Sequence, residues 1–341
     1  MTPNPATPFV APLQKAQPHH TAINWSDVGF FAGLGGILAL APLFASPTFL
    51  MKTLCFALFA TSFNFLLGYG GLMSFGHAAY FGMASYVSAY TARYWGFGPG
   101  LAIVSGTLAA VALGAVGGAI SIRRQGIYFS MITLALAQMV YFFSVQTPRF
   151  SGGEDGIQSV PRGRLFGLVD LGDDMSLYVV VAVIFVIALL FVVRMIRSPF
   201  GQALKAIRDN EQRAISLGYR ANSYKLMAFI LSTALAGLAG AMKAIVFQVA
   251  TLADVHWSMS GEPVMMTLVG GLGTIAGPVA GAAIMVGLET YLAPLGAWIP
   301  AIQGILFLLC VLLFRDGLVG VAKRLLNIRS DAARPHGRAS S

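Results

Sequence analysis

Long apolar runs separated by short polar stretches dominate this chain. Eight of them approach the roughly 20 apolar residues that a helix needs to cross a bilayer: 28–45, 49–67, 101–122, 127–145, 177–196, 226–250, 274–292 and 298–314. Two further segments are weaker. Residues 77–92 form a short run behind a glycine-rich approach, and 263–272 is too short to cross as a straight helix. The latter fits a broken or re-entrant helix, which is tolerated only where protein buries it. The pattern predicts an all-α, polytopic transmembrane bundle over residues 28–314, with about ten membrane segments, eight clear and two short or broken. Residues 1–27 are polar and proline-rich, with His19 and His20 side by side. They lack the basic start, apolar core and small-residue cleavage site of a signal peptide, so they read as a disordered tail with solvated histidines.

Charge orients the spans. The loop 197–224 and its flanks hold Arg194, Arg197, Lys205, Arg208, Arg213, Arg220 and Lys225 against Asp209 and Glu211. Arg123 and Arg124 share a very short connection, and the tail 315–341 carries Arg315, Lys323, Arg324, Arg329, Arg334 and Arg338. Loops rich in Lys and Arg stay on the cytoplasmic side. The loop 147–176 is the reverse, with Glu154, Asp155, Asp170, Asp173 and Asp174 against three arginines, and is expected outside. Counting crossings between these landmarks returns the C-terminus to the inside only if 263–272 counts as one. Both termini are then cytoplasmic.

Composition agrees. Only 10% of the 341 residues are charged and 57% are hydrophobic, against about 25% charged in soluble domains. The net charge of +9 is a property of the inner loops, and no soluble basic face exists to bind nucleic acid. Cys55 and Cys310 sit in apolar runs and read as packing residues. No metal-ligand cluster, catalytic motif or lysine-bearing phosphate loop occurs, so the chain is expected to be no enzyme and to hold no cofactor of its own.

The basic loop is the most informative stretch. Ser198 suits an N-cap, Pro199 a first helical position and Gly218 the residue past a helix end. Between them Phe200, Leu204, Ile207, Ala214 and Ile215 form one apolar stripe, with Glu211 in its middle and Arg208 at its edge. The stripe fits a helix docking into a groove of a soluble partner, and equally one lying on the bilayer surface. Polar residues within the spans are candidates for a pathway: Asn64, His77 and Gln138, with Ser74 in the glycine-rich approach. Lys243 and Glu289 lie near predicted outer ends, where long side chains can snorkel. His77 fits a helix-start hydrogen bond to backbone or a proton relay. The spacings Gly114/Gly118 and Gly277/Gly281 fit close helix packing.

Several motifs resemble the permease subunits of branched-chain amino-acid ABC importers of the LivM type. They are NFLLGYGGLMSFGHAAYFG at 64–82, RQGIYFSMITLA at 124–135, SGGEDG at 151–156, SPFGQALKAIRDNE at 198–211, YKL at 224–226, ALAGLAGA at 234–241 and GGLGTIAGP at 270–278. The resemblance implies a subunit of a bacterial inner membrane that pairs with a second, homologous permease. Two cytoplasmic ATPase subunits, holding ATP and Mg, would bind below, and a periplasmic binding protein would deliver substrate from above. It marks Ser198, Pro199, Phe200, Gly201, Leu204, Ile207, Arg208, Asp209, Glu211, Ala214 and Gly218 as an ATPase-coupling loop, and Glu154 and Asp155 as contacts for the binding protein. A urea or short-amide permease has a similar build. An ion-coupled secondary transporter would need acidic residues deep in the membrane, and only Glu289 is offered, near an end.

Overall fold

The computed structural model describes residues 25–165, 169–313, 317, 318 and 320. Residues 1–24 and most of 315–341, where the two tails were expected, lie outside the described residues. Helix begins within the first stretch read as tail, at Trp25, and positions 317, 318 and 320 are helical too. Of the described residues, 25–44 belong to one unit, built of α1 (Trp25–Leu40) and a 3-10 turn at Ala41–Leu43 that carries a proline in its first turn.

The rest of the chain is a second unit. Its helices are α2 (Pro47–Asn64), continued by a π-helical turn Phe65–Tyr69, then α3 (His77–Tyr94), α4 (Pro99–Ser121), α5 (Ile127–Gln146) and the short α6 (Pro148–Ser151). A two-residue hairpin, β1 (Arg164–Leu165) on β2 (Val169–Asp170), follows. Next come α7 (Asp174–Arg197), α8 (Pro199–Asp209), α9 (Glu211–Ser216), α10 (Ala221–Phe247), α11 (Leu252–Val255), α12 (Gly261–Gly270), α13 (Gly277–Tyr291) and α14 (Ile299–Leu313). Every predicted segment is therefore helical. Among the described residues, five helices are long and apolar enough to cross a membrane: Pro47–Tyr69, Pro99–Ser121, Ile127–Gln146, Asp174–Arg197 and Ala221–Phe247.

Local chemistry sets the ends. Prolines open α2, α4 and α8, where a missing N–H costs nothing. Asp173 caps α7 by accepting from the Ser176 N–H, and the Ser176 hydroxyl bonds it as well. These bonds hold its carboxyl below the ordinary aspartate range. Helix α7 is dense in Val and Ile yet helical, because in lipid only a helix satisfies every backbone group within one segment.

The core lies where α3 and α10 cross, both buried almost all round. They are rich in Ala, Gly and Ser, which lets backbones approach. A Cβ at Gly240 would lie 2.0 Å from the Phe81 carbonyl oxygen, and one at Gly114 2.0 Å from Thr233 Oγ1. A Cβ at Gly281 would meet the Met266 carbonyl at 1.8 Å, so α12 and α13 form a tight antiparallel pair. The expected packing role of Gly114, Gly118 and Gly281 is realised, while a Cβ at Gly277 would meet Gly271 and Thr274 of the preceding turn. Around this core α4, α5 and α7 turn outward a face of large apolar side chains, among them Leu108, Val116, Met131, Phe142, Val183 and Ile187.

Segment 263–272 extends upstream. Helix α12 alone has 10 residues, about 15 Å against the roughly 30 Å of a hydrocarbon core. It continues α11 and a 3-10 turn, Trp257–Ser260. The broken segment starts beside the acidic loop, where Ile157 bridges Ala250. It runs down α3, with Asp254 and Val255 against Gly82 and Ser260 bonded to Ala78 N. It ends where Gly273 and Thr274 meet Asn64.

Candidate coupling loop and buried polar centre

The basic loop is two helices, where a single capped helix was expected. Ser198 accepts from Gly201 N at 3.3 Å, and Pro199 opens α8. Asn210 is extended (φ −157°, ψ 98°), ends α8, and caps α9 by accepting from Arg213 N at 2.9 Å. An Asn offers its side chain to the next helix start more readily than it continues a helix. The break rotates α9 relative to α8 and divides the predicted stripe. Leu204, Ile207 and Ala214 are buried, the last two packing with Ala221 and Tyr224. Phe200 stacks on Tyr224 at 5.7 Å. Ile215 instead is exposed, together with Leu217 and Tyr219.

Glu211 is no unpaired acid on a buried stripe. Lys225, from the first turns of α10, reaches it at 2.6 Å, with side chains only 6% and 17% exposed. Lys225 had been counted simply as a loop charge. Arg208 pairs with Asp209 at 2.8 Å and donates through Nη1 to the Gly68 carbonyl. A polar hollow of about 220 Å³ lies here, lined by Gly70, Gly71, Gln125, Asn210, Glu211 and Lys225 among others. Gly218, φ +91° and open to space, ends the loop in the left-handed conformation that favours glycine.

Of the four pathway candidates, Asn64, Ser74 and His77 share the interior, all at most 2% exposed. Gln138 stands apart, half-buried on a shallow hollow of α5 with Met139, Phe142 and Phe143. The chain from Gly70 to Gly76 folds back into the bundle, held by hydroxyls of α5. Ser130 donates to the Met73 carbonyl at 2.6 Å, and Thr133 Oγ1 accepts from Phe75 N at 3.2 Å. Ser74 accepts from Gly76 N. His77 Nε2 bonds Ser232 Oγ at 2.9 Å, and that hydroxyl donates to the Ser62 carbonyl at 2.7 Å. The single hydroxyl hydrogen is thus committed, so Nε2 is the donor. His77 therefore makes a cross-helix side-chain bond in addition to the backbone contact with Ser74 at the helix start that the sequence led one to expect. Asn64 is engaged at both amide atoms, accepting from Gly273 N and donating to the Thr274 carbonyl, each at 2.8 Å.

Lys243 and Glu289 are paired rather than snorkelling. Lys243 meets Asp254 at 2.7 Å with both side chains nearly buried, and Glu289 meets Lys52 at 3.0 Å. Asp254 also accepts from Thr251 N, closing a capping box. That Thr-x-x-Asp spacing was the available signal for Asp254; nothing local pointed to Ser232 or Lys52. In the acidic loop, Glu154 and Asp155 are exposed on a 3-10 turn framed by Gly152, Gly153 and Gly156, all with positive φ. The loop is anchored by Arg162, which pairs with Asp174 at 2.6 Å and donates to the Val246 carbonyl at 2.9 Å. Among the described residues no cluster of His, Cys, Asp and Glu could hold a metal.

Spanning helices around a buried polar centre, with structured loops at the two ends of α10, define a multi-pass membrane protein of the permease kind. Residues 46–314 match the family model described as "Branched-chain amino acid transport system / permease component", and the chain belongs to that family. It is 25% identical, over 83% of its length and 72% of the relative's, to the high-affinity branched-chain amino acid transport system permease protein LivM of Escherichia coli K12. The Salmonella typhimurium LivM permease is 24% identical over the same shares. A probable branched-chain amino acid transport permease protein LivM of Methanocaldococcus jannaschii is 27% identical over 54% of each chain. No solved structure matches significantly.

Proposed function

We propose that this chain is the inner-membrane permease subunit of an ABC importer, forming with a second, homologous permease the route for branched-chain or related hydrophobic amino acids. Two ATPase subunits, which hold ATP and Mg, bind the basic loop from the cytoplasm, and a periplasmic binding protein meets Glu154 and Asp155. Ten segments cross, with both termini and the basic loop inside. The broken segment Leu252–Gly270 supports the tenth crossing, since it leads from the acidic loop to a turn beside the residue that Arg208 touches.

One observation carries the coupling assignment. In a loop whose other large apolar residues pack inward, Ile215, Leu217 and Tyr219 stand exposed at 49%, 71% and 41%. Arg213 and Arg220 flank them. A contiguous exposed apolar patch rimmed by charge is the mark of a protein interface. The test is Leu217→Asp with Tyr219→Ser. The variant is expected to reach the membrane normally and to retain at least tenfold less ATPase subunit on purification. Undiminished ATPase retention would overturn the docking face. Full leucine uptake by this chain in vesicles without ATPases would overturn the importer assignment itself.

A further inference from the structure

We infer that Arg208, Gly68 and Asn64 form an internal line that carries movement of the basic loop to the turn between α12 and α13. The inference rests on the importer reading above and concerns how the permease answers its ATPases, not whether it binds them.

The line begins in the backbone of α2. At Phe65–Tyr69 the helix widens to π geometry, a form that is rare and concentrated at functional sites. The Leu72 N–H reaches back to the Leu66 carbonyl, passing over Gly68. The Gly68 carbonyl accepts the Arg208 Nη1–H instead. Helix α8 is thereby bonded to a freed carbonyl of a membrane helix by a charged donor, the stronger kind of hydrogen bond. The contact is broad as well as polar. A Cβ on Gly71 would lie 2.6 Å from Arg208 Cγ, and Lys205 Nζ sits 5.5 Å from the centre of the Tyr69 ring.

From Gly68 the contact continues inward. A Cβ there would lie 2.5 Å from Asn64 Oδ1 and 2.8 Å from Gly273 N. Asn64 closes the line by holding Gly273 and Thr274 as a β-strand neighbour would, one bond given and one received. Those residues belong to the only connection between α12 and α13, so a displaced π turn must either drag that connection or break both bonds. Arg208 is thus a strut within this chain, although the sequence places it among partner contacts. Asn64, 2% exposed, spends an amide hydrogen and an oxygen lone pair on that connection. Both are positioning residues.

The experiment uses the full importer, with both permeases, the ATPases and the binding protein, in vesicles. It reads ATPase retention, ATP hydrolysis and leucine uptake separately. Gly68→Ala inserts a methyl into the line. It is expected to keep ATPase retention and to hydrolyse ATP within about twofold of wild type, while uptake falls at least tenfold. Gly70→Ala is the comparison, because its Cβ would meet nothing closer than Leu204 at 3.8 Å; uptake is expected within twofold of wild type. Arg208→Ala acts from the surface, and is the measurement to use if Gly68→Ala does not reach the membrane. Its uptake should drop to a similar level with ATPase retained, and combining it with Gly68→Ala should cost little more. Wild-type uptake in Gly68→Ala, equal losses in Gly68→Ala and Gly70→Ala, or loss of ATPase retention in Arg208→Ala would each overturn the line. Failure of wild type to couple ATP to uptake would instead sink the importer reading.

Discussion

Helix α10 holds a carboxylate at each end, and the two grips differ. Near its start Lys225 binds Glu211 of α9; about five turns and 27 Å further on, Lys243 binds Asp254 of α11. Each partner belongs to a short helix that could not stand alone. The Lys243–Asp254 pair is closed. Both carboxylate oxygens lie within 2.9 Å of Nζ, and one also satisfies Thr251 N. The Lys225–Glu211 pair makes one such contact, beside a polar hollow and next to the break at Asn210. The same chemistry therefore serves as a two-oxygen staple at the acidic-loop end and as a single-contact joint at the basic-loop end. Under the importer reading proposed above, the joint lies at the end that would meet the ATPases and the staple at the end that would frame the substrate route.

The contrast can be broken most directly at Lys243. Lys243→Met should cost about 3–5 kcal/mol, because it strands Asp254 without a partner. Adding Asp254→Leu should recover most of that loss. Thermal unfolding in detergent measures both, and a single-variant cost below about 1 kcal/mol would show that the staple is no staple. Lys225→Met should cost less, about 1–3 kcal/mol, since Glu211 can take up water in the adjoining hollow. An equal loss at the two lysines would erase the distinction. The smallest effect is expected at the joint itself. Asn210→Ala removes the cap of α9 and should cost about 1 kcal/mol. Hydrogen exchange should show the change confined to the amides of 211–216, with α8 still protected; spread into α8 would mean that the two helices act as one.

Much of this could be read along the chain. Each predicted segment became a helix, because about 20 apolar residues in lipid leave the backbone little other choice. Ser198 and Pro199 announced the start of α8 for equally local reasons. The break at Asn210 was missed because periodicity continues across it: Ala214 falls back onto the buried side and only Ile215, Leu217 and Tyr219 reveal the rotation. The short run 263–272 was legible as irregular. Its upstream pieces, Leu252–Val255 and Trp257–Ser260, carry too little apolar sequence to be recognised by themselves.

Pairing is where sequence reasoning ended. Asn64, His77, Lys243, Glu211 and Glu289 were all noticed as polar residues in apolar surroundings, which is a local property. Their partners are Gly273 and Thr274, Ser232, Asp254, Lys225 and Lys52. Apart from the near neighbours Lys225 and Asp254, these come from distant parts of the chain. The sequence by itself determined that the chain is a many-helix membrane permease, which loop is basic, and which residues could not be left unsatisfied. The tertiary structure alone decided what satisfies them, because burial makes a partner obligatory while only helix crossing and register choose which one comes within reach.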